Sequence, residues 1–159
     1  MDGWINNSIK DFYMDKIVIK PYESVGLIHF GQSINEVISC IGKPDRIDTI
    51  SDNDTGYYYS WGLIRFSSQT LGVVEVTIFP REEVYVEGIN IFKELKQVKQ
   101  LAKLANLENN AFECLGILFL MDLGIALSGF HRKETDRVVS AFAKGQVDLL
   151  RDFFKPYKL

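Results

Sequence analysis

Between Phe30 and Pro44 the chain spells out a short helix together with both of its ends. Ser33 and Glu36 stand at the S-x-x-E spacing of a capping box, in which hydroxyl and carboxylate satisfy N–H groups that the first helical turn leaves unpaired. Ile34, Val37, Ile38 and Ile41 fall on one helical face, and Gly42 followed by Pro44 supplies the stop. A helix this short is held mainly by what its apolar face packs against. The residues after it read as a sheet: Arg46 to Ser51 as a strand, Asp52-Asn53-Asp54-Thr55-Gly56 as a turn, Tyr57 to Trp61 as an aromatic strand. Leu63 to Phe66 and Val73 to Phe79 continue the meander. In the last of these Val74, Val76 and Ile78 alternate with Glu75 and Thr77, the period of a sheet with one wet face.

The same order then recurs. Gly88-Ile89-Asn90-Ile91-Phe92 echoes Gly26-Leu27-Ile28-His29-Phe30, and a helical pattern from Glu94 to Leu104 follows it. Leu115-Gly116-Ile117-Leu118 parallels Trp61-Gly62-Leu63-Ile64, and Leu123-Gly124-Ile125-Ala126 parallels Leu71-Gly72-Val73-Val74. These landmarks predict a degenerate duplication, with units over 21–80 and 85–131 inside a single domain of residues 1–159. The competing explanation is that Gly-hydrophobic pairs simply mark successive hairpins. Val138, Val139, Phe142, Ala143, Leu149, Leu150, Phe153 and Phe154 form an apolar stripe at helical spacing, which predicts a C-terminal helix over 135–154. Ile5, Ile9, Phe12 and Tyr13 predict another short helix near the start. The expected class is α+β: two helix-plus-antiparallel-sheet repeats with a C-terminal helix packed on the sheet.

Composition excludes several kinds of function. Aromatic residues make up 13% of the 159, far more buriable surface than a disordered chain carries. A net charge of −3 argues against binding nucleic acid through the overall field. The longest apolar run, Leu115 to Met121, is about a third of the roughly 20 residues a membrane span requires, so no membrane association is expected. Asp2, Lys10, Asp11 and Asp15 break up the first residues where a signal peptide needs an apolar run, and two cysteines suit buried thiols, so the expected compartment is the cytoplasm.

Catalytic and metal signatures are sought with little result. His29 and His131 lack a Cys, His or carboxylate at ligand spacing. Asp52-x-Asp54-x-Gly56 resembles the start of a calcium loop, but the glycine comes one residue early and Leu63 occupies the position of the closing Glu. Cys40 lies inside the apolar arc of the capped helix, where burial makes a thiol inert. No G-x-S-x-G elbow or phosphate loop occurs. No catalytic residue, metal or cofactor is therefore assigned. Cys114 and His131 are the least remote reactive pair, should the chain be an enzyme or a small-molecule binder using a pocket on the sheet.

One surface segment does stand out. Asp45, Asp48, Asp52 and Asp54 lead into Tyr57-Tyr58-Tyr59-Ser60-Trp61, with Tyr57, Tyr59 and Trp61 on one strand face and Tyr58 on the other. Carboxylates that steer and rigid aromatics that anchor suit protein recognition, which makes Asp48, Asp52, Asp54, Tyr57, Tyr59 and Trp61 the candidate partner-binding residues. The same aromatics serve equally well as core beneath a solvated acidic loop.

The stretch from Pro21 through Gly26-Leu27-Ile28-His29-Phe30-Gly31-Gln32-Ser33-Ile34-Asn35-Glu36-Val37 to Gly42-Lys43-Pro44-Asp45 resembles the opening of the beta-lactamase inhibitory protein-like superfamily, which includes the SmpA/OmlA lipoproteins. That resemblance implies a repeated helix-and-sheet unit that binds other proteins without a catalytic site. The chain's opening residues do not read as the leader and lipidation Cys of the lipoproteins, and its two cysteines do not match the secreted inhibitor's disulfide pattern. What it then implies is a cytoplasmic protein binder of bacterial immunity type, with a toxin domain as partner. A structural subunit of an envelope or secretion assembly is the remaining alternative.

Overall fold

The structure, a computed structural model, describes residues 16–81, 83–93, 110–130 and 136–157. The capped helix forms as α1 (Ile34–Ile41). Ser33 Oγ accepts the Glu36 N–H at 3.2 Å and donates to the Glu36 carboxylate at 3.0 Å, while the Gly42 N–H closes the other end on the Ile38 carbonyl at 2.9 Å. Before it lie β1 (Ile17–Lys20), β2 (Ser24–Val25) and β3 (Ile28–His29). After it comes a meander of β4 (Arg46–Thr49), β5 (Asp54–Tyr59), β6 (Gly62–Ser67) and β7 (Gly72–Ile78), then the hairpin β8 (Val84–Val86) and β9 (Ile89–Asn90). A second meander follows as β10 (Ala111–Cys114), β11 (Ile117–Leu120), β12 (Ile125–Ser128) and β13 (Val138–Phe142), and β14 (Lys155–Pro156) is the last strand among the described residues.

These strands build two sheets, ordered β3-β2-β1-β8-β9 and β14-β10-β11-β12-β13-β7-β6-β5-β4. The strand order and directions of both have a twofold pattern. In the larger sheet β7 and β13 pair antiparallel at the centre, and the two meanders run outward from them. In the smaller, β1 is antiparallel to β2 but parallel to β8, so the hairpins on its two sides run in opposite directions, as a twofold requires. In this order β13 holds the place opposite β7, and the Leu123-Gly124 landmark falls in the β11–β12 turn. Hairpin chemistry explains the recurring pairs: Leu115-Gly116 and Glu87-Gly88 fill two-residue loops with both φ values positive, the backbone that a tight hairpin demands.

The expected α+β class is corrected by this architecture. Among the described residues one α-helix and one 3-10 helix (Asp148–Phe153) stand against fourteen strands, so the protein is mainly β. In place of a C-terminal helix over 135–154, Val138–Phe142 is the central strand β13. Val139 and Ala141 of this strand face the main core and Phe142 packs on the other side, and apolar residues on both faces of so short a strand are indistinguishable from a helical stripe. The β-branched Val138-Val139 pair favours the strand, and Gly145, at φ +83°, breaks any helix that would continue. The helices expected near Ile5–Tyr13 and over Glu94–Leu104 lie outside the described residues.

The main core lies between α1 with the small sheet and one face of the large sheet. Val37 and Ile41 of α1 and Ile17, Ile19, Val84 and Val86 of the small sheet meet Ile64, Val76, Ile78, Ile125 and Val139 there. On the opposite face, Phe119, Ala126 and Phe142 of the second meander are covered by Val147, Leu150 and Phe154 of the C-terminal segment. Close backbone contact locks α1 in place: Gly31 N–H donates to Val73 O at 2.9 Å, and Val73 N–H to Gln32 O at 3.0 Å. A Cβ on Gly72 would come within 2.6 Å of the Gly31 backbone.

Two substitutions probe this arrangement. Ser33→Ala is expected to cost about 1 kcal/mol through the lost cap. Gly72→Ala is expected to cost about 1–3 kcal/mol, because backbone rather than a flexible side chain must move. Urea unfolding measures both, and wild-type stability in Gly72→Ala would mean that the loop entering α1 does not rest on β7.

Candidate functional site

The strand faces divide the acidic-aromatic segment. Tyr57, Tyr59 and Trp61 do share a face, and it is the core face: Tyr59 and Trp61 are each only 3% exposed and stack on each other at 5.4 Å. Tyr57 is partly buried against the same core. Tyr59 and Trp61 are thereby corrected as anchors, since no partner reaches them without opening the fold. The sequence shows that the alternating aromatics face one way, but not which way.

The aspartates stay at the surface. Asp48, on β4, pairs with Arg46 at 2.8 Å, and the Arg46 guanidinium lies 4.1 Å from the ring centre of Tyr58. Asp52 is exposed in the turn, and Asp54 opens β5 with its carboxylate 2.8 Å from Arg65.

That turn is one wall of a groove of about 580 Å³ on the outer face of the large sheet. Its floor is Phe119, Ala126 and Phe142; Ser51, Asn53 and Asp54 stand on one side, Val147, Leu149 and Leu150 on the other. Leu149 is 91% exposed on the rim. At the end nearest β6 and β7, Arg65 bridges two carboxylates, with Nη1 2.8 Å from Asp54 and Nη2 2.6 Å from Glu75. Thr77 donates to Glu75 at 3.3 Å, and its hydroxyl meets that of Ser140 at 2.9 Å. One guanidinium between two carboxylates leaves this end net negative, and its partners fix the Arg65 side chain. Sequence reasoning missed Arg65, Ser140 and Phe142 because only the β6-β7-β13 adjacency unites them. The signal available was the wet-face alternation of Glu75 and Thr77, since Arg65 is directly opposite Glu75 in the ladder.

Other candidate chemistry is dispersed. Cys40 is partly buried and Cys114 buried, both as free thiols. His29 is exposed on β3, and His131 lies outside the described residues. Among the described residues no group of three or more His, Cys, Asp or Glu is placed to hold a metal ion, and no helix is long and apolar enough to cross a membrane. Compared with protein-family models, curated proteins and solved structures, the chain matches none.

Tyr59 offers a titration test of its placement. Burial raises its phenol above the ordinary value of 10.0, with Asp45 and then Tyr57 adding to the effect, and the hydroxyl donates to Gly42 O at 2.8 Å. Above pH 10.0 the unfolded chain has released a proton that the folded chain still holds, so this contribution is complete below that pH and lost as pH rises. Tyr59→Phe is expected to cost about 1 kcal/mol at neutral pH and to flatten the decline of stability on the alkaline side. An unchanged alkaline slope in chemical denaturation would mean that Tyr59 is solvated.

Proposed function

We propose that the chain is a non-enzymatic protein-binding module of bacterial immunity type, acting in the cytoplasm and neutralising a toxin domain by seating a basic, partly apolar segment of it in the outer groove. The observation that carries this reading is the anatomy of the groove. The polar residues Ser51, Asn53 and Asp54 line one side and the exposed, apolar Leu149 the other, which offers a partner both polar and apolar contacts, as protein interfaces do. The net charge of −3 favours a basic partner. The resemblance of residues 21–45 to the beta-lactamase inhibitory protein-like opening supports the class, since that superfamily binds proteins with a helix-and-sheet unit. Of the residues first singled out, Asp54 lines this groove, Asp52 is exposed in the turn beside it and Asp48 lies on β4.

The test is binding to the product of a neighbouring gene, measured by surface plasmon resonance. Leu149→Asp is expected to raise the dissociation rate so that affinity falls by about 2 kcal/mol or more. Asp52→Asn is expected mainly to slow association and reduce its salt dependence. Wild-type kinetics in both variants would remove the groove from the interface. The second reading, a small-molecule site, is favoured by the groove's volume, which lies within the range of ligand pockets. Retention of a small ligand in native mass spectrometry would favour it.

A further inference from the structure

β4 ends the nine-stranded sheet, and all four of its residues are exposed. Its side toward β5 is accounted for by the Asp45 N–H on Tyr58 O at 2.7 Å and the Ile50 N–H on Asp54 O at 2.9 Å. Alternation along an antiparallel strand places Asp48 with Ile50 and aims the backbone groups of Ile47 and Thr49 away from β5. The Ile47 side chain is 57% exposed beside those outward groups. Unpaired edges are commonly blunted by charge, and β4 does carry Arg46 and Asp48, but the two are opposite in sign and two residues apart on one face.

We propose that β4 pairs antiparallel with β4 of a second copy, about a twofold axis through Ile47, so that two large sheets join edge to edge. The register follows from charge. With Ile47 opposite Ile47 of the second copy, the outward backbone groups form the hydrogen-bonded pair. Each Arg46 then faces Asp48 of the other chain. Shifting the axis one residue forward sets Asp48 against Asp48, and one residue back sets Arg46 against Arg46, both repulsive. Moving it to Thr49 leaves Asp48 opposite Ile50. The Ile47-centred register thus pairs both charges and covers the exposed Ile47 side chains. Tyr58 and Asp48 already hold the Arg46 guanidinium on the correct face. Pro44, which has no N–H to donate, limits the pairing to this short strand, so the association is weak and seen at high protein concentration. It involves no toxin and does not depend on the groove.

Sedimentation of the full chain from micromolar to millimolar concentration tests this. The wild type is expected to shift from monomer to dimer. Arg46→Glu and Asp48→Arg are each expected to weaken self-association tenfold or more, because like charges then face each other across the strands. An equimolar mixture of the two variants is expected to form mixed dimers at the wild-type level, since every cross-strand pair is again opposite in sign. That rescue also excludes misfolding as the cause of either loss. Ile47→Pro removes only an outward N–H and is expected to abolish the dimer while the far-ultraviolet spectrum stays wild type. A wild-type chain that remains monomeric at millimolar concentration, a dimer indifferent to the single reversals, or a mixture that fails to recover would each overturn the proposal.

Discussion

The antiparallel pairing of β7 with β13 is the contact on which the rest of the molecule depends. It joins two four-stranded meanders that come from opposite halves of the chain, with Ile78 opposite Val139 and Val76 opposite Ala141. Those four side chains lie inside the main core, each no more than 1% exposed. Neither meander has a separate inner core, because the residues under both belong to one apolar cluster with α1 and the small sheet. Opening the central ladder would therefore expose apolar surface from both halves together, which couples them in one cooperative unit. The small sheet reinforces the coupling, since β1, from the start of the chain, bridges a hairpin from each half.

Symmetry at the centre makes the asymmetry of the outer face informative. The C-terminal segment covers the second meander, where Phe119 and Phe142 need an apolar partner, and stops short of the first. Over β6 and β7 the outward polar residues are Arg65, Glu75 and Thr77, which are joined by an ion pair and a hydrogen bond. The groove arises at the boundary between these two treatments, with apolar packing on one side and fixed charges on the other.

Much of the first meander was legible because its punctuation is local. The Ser33 cap, the Gly42 stop and the alternation of β7 each act over a few residues, whereas the turn expected over Asp52–Gly56 ends earlier, because Asp54–Tyr59 is β5. What could not be read depends on neighbours distant in sequence. The direction in which Tyr57, Tyr59 and Trp61 face is set by α1, whose Gly42 carbonyl accepts the Tyr59 hydroxyl. Val138 to Phe142 became a strand because β7 and β12 offered a vacant central place between them. Around the groove, the exposed turn at Asp52 was legible from its composition, whereas Asp54 lies on β5 and meets Arg65 only through the sheet order.

The strained backbone positions separate packing from other demands on the sequence. Tyr22, Leu71, Glu87 and Leu115 are non-glycine residues at positive φ, a conformation that costs about 1–2 kcal/mol for an L-residue. Tyr22 has an offset: its ring meets Phe142 edge-on at 5.9 Å, and its hydroxyl donates to the Met121 carbonyl. Leu115 has no such return. It is 92% exposed at the tip of the β10–β11 hairpin, so it combines backbone strain with an apolar side chain in water. Glycine or asparagine at that position would serve the turn better on both counts. Stability of the described fold therefore gives no reason for a leucine there, and Leu115 is where the sequence departs most plainly from what its own hairpin requires.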